Sequence, residues 1–111
     1  MDLNSLVGLV VSDIALQNDT LGIAFENGSG LSVFNRFEID GGDTAMLGQI
    51  KGQRLVSIRD SAATIDFTFD CGMTIRVGMT DSDFVGPEAM LYQDADTIEV
   101  WREESIKRPT E

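Results

Sequence analysis

The sequence predicts an all-β protein, a small antiparallel sandwich or partly open barrel with pseudo-two-fold symmetry. Three observations predict it. Residues 8–49 align without a gap onto residues 52–93, an offset of 44, with eleven identities including Gly8/Gly52, Phe25/Phe69, Gly28/Gly72, Val33/Val77 and the run Ala45-Met46-Leu47/Ala89-Met90-Leu91. Self-similarity at a fixed offset means one supersecondary unit used twice. Each copy carries a stretch of period-two alternation, Leu21-Ile23-Phe25 and Ile65-Phe67-Phe69, rich in β-branched and aromatic residues, which is the pattern of a half-buried strand. Each such stretch runs into a glycine turn, Glu26-Asn27-Gly28 or Asp70-Cys71-Gly72, of the kind that closes tight hairpins.

Taken in order, residues 9–16 and 53–59 form a first strand in each copy. Their shared apolar positions, Val11/Leu55 and Ile14/Ile58, are three apart; a bulge or bend would bring both onto one core, and a short helix is the competing reading, disfavoured because β-branched residues dominate. The second strand and glycine turn follow, and alternation resumes at Leu31 and Val33, or Ile75 and Val77. Each copy ends in Gly-x-x-Ala-Met-Leu-x-Gln, at 42–49 and 86–93. This segment reads as a helical turn plugging the core or as a short buried strand; Pro87-Glu88 suits a first helical turn, but length does not decide. Residues 97–102 alternate again and form a closing strand, and 103–111 make a charged, frayed tail. The whole chain, 1–111, reads as a single domain of seven strands.

Composition narrows the chemistry. There is no histidine among the 111 residues and Cys71 is the only cysteine. That removes the commonest general base, any internal disulfide and any structural zinc set. The net charge of −11, from 19 acids and 8 bases, repels nucleic acid and anionic membranes; solubility alone accounts for such a surface, and attraction of a basic partner is the sharper alternative. No apolar run is long enough to span a bilayer, and the N-terminus carries an acid where a signal peptide has a positive charge; a cytoplasmic protein is expected. Asp40, Asp43, Asp81, Asp83, Asp94, Asp96 and Glu99 supply loop carboxylates but match no calcium-loop spacing. Asp66 and Asp70 are expected to be exposed partners of Arg54, Arg59 or Arg76 rather than a catalytic pair. Ser12, Ser57 and Ser61 lack a base, and Cys71 lacks an adjacent cation to activate it. No catalytic residue, metal or cofactor is therefore assigned.

The copies differ on one face. Thr64, Asp66, Thr68, Asp70 and Arg76 make an ordinary wet surface; their counterparts are Thr20, Gly22, Ala24, Glu26 and Ser32, followed by Phe34. Uncharged strand faces are normally covered, by the tail, by Met46-Leu47, or by another molecule. Residues 1–49 hold seven acids and one base, a net −6, against six acids and four bases, a net −2, in residues 50–93. The first copy is thus the candidate partner-facing half, and Gly22, Ala24, Ser32, Phe34, Asp40 and Asp43 are the candidate interaction surface.

The tandem pattern at Thr64 to Val77, with Gly86-Pro87-Glu88-Ala89-Met90 and Ile98-Glu99-Val100-Trp101, resembles small, uncharacterised bacterial all-β proteins. Some similar small acidic proteins are immunity proteins, which neutralise toxins. The resemblance implies a non-enzymatic binding protein and assigns no site residues. The expected function is binding, by self-association as a dimer or to a basic protein. The alternative is a small-ligand binder or carboxylate enzyme with a cavity between the two repeats.

Overall fold

A computed structural model describes residues 3–40 and 44–102; the tail 103–111, Asp43 and Gly42 lie outside the described residues. The described chain is almost entirely β, with nine strands in two antiparallel sheets that are not closed into a barrel. Strands β1 (Val11–Gln17), β2 (Thr20–Phe25) and β3 (Gly30–Val33) form one meander, and β5 (Leu55–Asp60), β6 (Thr64–Phe69) and β7 (Thr74–Gly78) form a second. The remaining strands are β4 (Phe37–Asp40), β8 (Glu88–Gln93) and β9 (Ile98–Arg102).

Seven strands are legible in the sequence; β4 and β8 complete the nine, and they decide the topology. The sheet orders are β1-β2-β3-β8-β9 and β4-β7-β6-β5. The strand following each meander therefore pairs with the other meander. The three residues after β3 carry the chain from the first sheet to the second, and the nine after β7 carry it back.

Both meanders bury alternate residues. In β2 and β3 these are Leu21, Ile23, Phe25, Leu31 and Val33; in β6 and β7 they are Ile65, Phe67, Phe69, Ile75 and Val77. They form one apolar cluster with Leu6, Val11, Leu47, Ile50, Leu55, Met73, Met79, Ala89, Met90 and Tyr92. The bulge expected in the first strand is present in both copies, as register shifts at Val11/Asp13 and Leu55/Ser57. It leaves Val11 and Leu55 fully buried and Ile14 and Ile58 packed at the margin of the same core.

The starts of the two meanders pair through a bridge at Val10 and Arg54. Its hydrogen bonds come in pairs offset by 44: Gly8 N–H to Leu55 O (2.7 Å) with Gly52 N–H to Val11 O (2.8 Å), and Val11 N–H to Gln53 O (2.9 Å) with Leu55 N–H to Leu9 O (2.9 Å). Arg54 also donates its Nη1 to Gly8 O at 2.7 Å.

The shared Ala-Met-Leu segment does not fold alike in its two occurrences. The first lies in a 3-10 helix, Thr44–Ile50, where Ala45 is exposed and Leu47 is buried. The second lies in β8, where a register shift between Glu88 and Met90 turns both Ala89 and Met90 inward and leaves Leu91 outside. Of the two readings left open for this segment, the helical turn holds for the first occurrence and the buried strand for the second. The difference follows from neighbours. Gly48 in the first segment weakens a strand, whereas Tyr92 in the second favours one, and only the second is followed by a hairpin partner, β9.

No helix of the described residues is long and apolar enough to cross a membrane.

Gly78, at the end of β7, tests the crossing. A Cβ there would overlap the Asp83 carboxylate, which is held in place by Thr80 N–H (3.1 Å) and Thr80 Oγ1 (2.6 Å). Gly78→Ala should destabilise the protein by about 1–3 kcal/mol in urea unfolding. Adding Asp83→Ala should cost less than the sum of the two single changes.

Candidate functional site

Directly opposed residues in paired strands share a face, so the ladder registers define what each sheet presents outward. Across the five-stranded sheet one row reads Ala15, Gly22, Ser32, Leu91, Val100, and the next reads Asp13, Ala24, Gly30, Gln93, Ile98. The equivalent row of the four-stranded sheet reads Arg59, Asp66, Arg76, Glu38, and the next reads Ser57, Thr68, Thr74, Asp40. One outer face is laced with alternating charges. The other is nearly bare.

On the charged face Arg76 Nε lies 3.3 Å from Asp66 Oδ1, and its Nη2 lies 3.5 Å from Asp40 Oδ2. The hydrogen bond and charge of Asp66 raise the Arg76 guanidinium further above its already high pKa, with Asp40 adding to the effect. Asp66 is therefore an ion-pair partner of Arg76, one of the three arginines expected, but its side chain is half-buried rather than exposed. Asp70 accepts a long bond from the Arg54 backbone N–H, at 3.4 Å.

On the bare face the two central strands sink into a depression of about 630 Å³, lined among others by Ala15, Gly22, Ala24, Gly30, Ser32 and Leu91. Glycine inside a strand costs about 0.5–1 kcal/mol relative to alanine. Neither Gly22 nor Gly30 is required by its own backbone. Neither has a positive φ, and an added Cβ would meet its nearest heavy atom at 3.9 Å in Gly22 and 3.5 Å in Gly30, ordinary contacts. Strand glycines of this kind mark places where another backbone or a ligand approaches closely. Beside the depression, Leu91, Val100 and Ile98 form an apolar ridge along β8 and β9, with Ile98 62% exposed.

The ridge is pinned by the turn that joins its strands. The Asp94 carboxylate accepts from the Tyr92 hydroxyl (2.5 Å), Asp96 N–H (2.8 Å) and Thr97 N–H (2.7 Å). The Tyr92 bond, then the Asp96 amide, hold the Asp94 carboxyl below its usual range. The same bond, followed by burial, raises the Tyr92 phenol.

A second concavity, of about 770 Å³, lies where the chain crosses between sheets and is lined by residues of both halves, among them Phe34, Asn35, Arg36, Glu38, Gly78 and Asp83. The six predicted surface residues are thus divided. Gly22, Ala24 and Ser32 meet in the depression; Phe34 lies in the crossing cleft; Asp40 sits on the other sheet against Arg76; Asp43 is outside the described residues. Met46 and Leu47 belong to the 3-10 helix packed into or against the core, and neither lines the depression. The sequence reading missed Asn35 and Gly30. The alternation Phe37-Glu38-Ile39-Asp40 is the signal that would have revealed the crossing. Cys71 is exposed and free. Among the described residues no group of three histidine, cysteine or acidic side chains is placed to hold a metal ion.

Comparison of the chain with protein-family models, with curated protein sequences and with solved structures finds no match.

The Asp94 turn carries a pH signature. A depressed carboxylate stabilises the fold above its ordinary pKa of about 4 and loses that contribution as pH falls through the lowered value. A raised phenol contributes below its ordinary pKa of about 10 and loses it as pH rises through the raised value. In urea unfolding across pH, the deficit of Asp94→Asn relative to the parent should be flat near neutrality and shrink in strong acid. Tyr92→Phe should flatten the alkaline limb.

Proposed function

We propose that this is a non-enzymatic binding module that works through the outer face of the β1-β2-β3-β8-β9 sheet, and that its occupant is a second copy of the chain. One observation carries the reading: on that face a trough of small residues (Gly22, Ala24, Gly30, Ser32) lies directly beside an apolar ridge (Leu91, Val100, Ile98). A two-fold axis between trough and ridge seats each copy's ridge in the other's trough, which is the self-complementarity an isologous interface needs. The trough and ridge residues carry no charge, so two chains of net charge −11 can meet there, with Asp13 and Asp94, which also line the trough, as the like charges the contact must keep apart.

Five strands about 4.8 Å apart and about 20 Å long present a face of about 480 Å², or about 1,000 Å² for the pair. That is the lower limit for a specific interface, so the dimer should be weak, in the micromolar range. A partner of another kind, such as the basic protein that the net charge favours, is the competing occupant.

Sedimentation velocity over about 5–500 μM tests the reading. The parent should pass from monomer to dimer, while Gly22→Glu and Val100→Glu remain monomeric with unchanged circular dichroism. Phe34→Glu, outside the patch, should still dimerise. A parent that stays monomeric throughout the range refutes self-association. Equal dimerisation by Gly22→Glu moves the interface elsewhere.

A further inference from the structure

The crossing cleft contains a buried acceptor that no described group satisfies. Asn35 is 1% exposed. Its backbone N–H donates to Ala89 O (3.2 Å), and its Nδ2 donates to Gly78 O (2.8 Å) and reaches Met79 Sδ at 4.0 Å. Its Oδ1 has no partner. Turning the amide over does not help, because Oδ1 would then face the Gly78 carbonyl, acceptor against acceptor. Buried polar atoms are rarely left in this state.

The surrounding chemistry is specific. Phe34 and Phe37, with exposed Leu16 and Val85, give the cleft apolar walls. Three charged side chains lining it, Asp19, Arg36 and Glu38, are exposed and form no ion pair among the described residues. The other two are already engaged: Asp83 is tied to Thr80, and Arg76 to Asp66 and Asp40. Arg36 immediately precedes β4 and Glu38 is its second residue, so both stand at the crossing end of that strand and line the cleft.

We propose that this cleft binds a small zwitterion with an apolar side group, of the α-amino-acid class. The ammonium faces Glu38 and Asp19, and a small opening of the cleft wall at Asn35, whose Oδ1 is covered in the free chain, lets it supply the missing donor. The carboxylate pairs with Arg36, whose planar fork suits bidentate carboxylate recognition. The side group lies against Phe34 and Phe37. The volume of about 770 Å³ is within the range of small-molecule sites. This site is separate from the dimer face and stands or falls independently of it.

NMR chemical-shift titration of the intact protein tests the proposal with three probes: L-phenylalanine, 2-phenylethylammonium, which lacks the carboxylate, and phenylacetate, which lacks the ammonium. L-phenylalanine should produce saturable shifts at the amides of residues 34–38 and 78, with phenylethylammonium weaker and phenylacetate weakest. Glu38→Gln should weaken L-phenylalanine binding about five-fold or more. Arg36→Gln should reduce it to the phenylethylammonium level without weakening phenylethylammonium itself. Asp96→Asn, which removes one negative charge at the far end of β8, should change nothing, and neither should Gly22→Glu. The proposal is overturned if L-phenylalanine gives no saturable shift. Tighter binding of phenylacetate, or identical affinities in Glu38→Gln, Arg36→Gln and the parent, refutes it equally.

Discussion

The architecture depends on how three residues, Phe34 to Arg36, cross from one sheet to the other with their backbone satisfied. Buried peptide groups must find partners, and the three N–H groups of this crossing all do. Phe34 and Asn35 donate to Ala89 O at 2.8 and 3.2 Å. Arg36 donates to Asp83 O at 2.9 Å and accepts from Gly78 N–H at 2.9 Å. The Asn35 side chain closes the arrangement on Gly78 O. The outgoing crossing is therefore bonded to the returning one, Gly78 to Ala89, and both sheet edges are completed in the same place. Gly78 must be bare because the Asp83 carboxylate lies over it. The cleft and its unsatisfied amide oxygen are by-products of the same crossing.

The meanders were legible because hydrophobic period, glycine turns and the 44-residue offset agree there. Leu21, Ile23 and Phe25 can satisfy a core in one register only, since a slip of one residue would turn all three outward. Even the bulge at Val11 and Leu55 could be inferred, from apolar positions three apart. The segments after the meanders were not legible, because local sequence does not determine them. Ala-Met-Leu folds as a 3-10 turn when followed by Gly48 and as a strand when followed by Tyr92 and a hairpin partner. Identity at Ala45/Ala89 and Met46/Met90 records a common pattern, but Ala45 is exposed where Ala89 is buried. Tertiary pairing overrides the tripeptide.

The candidate surfaces show the same division. The bare face could be read because Gly22, Ala24 and Ser32 stand where the second copy has Asp66, Thr68 and Arg76. The trough's fourth member, Gly30, and the adjoining ridge of Leu91, Val100 and Ile98 were hidden, because they become neighbours only through the pairing of β3 with β8. The cleft was hidden for a related reason: Asn35 looks like a polar linker residue until the crossing buries it.

The exchange of strands also bears on the order of folding. β3 must wait for β8, whose residues lie about 60 positions later, since Leu31 pairs with Tyr92 and Val33 with Met90. Until then the edge of β3 is unpaired and its apolar side chains Leu31 and Val33 have only half their cover. Pairing over such a separation is slow because the loop must close before any contact rewards it. During synthesis the first meander emerges well before its closing strand, and an open edge is a template for pairing with another chain. The charged residues that follow β3 in the sequence, Arg36, Glu38 and Asp40, are of the kind that resist aggregation of a neighbouring apolar strand.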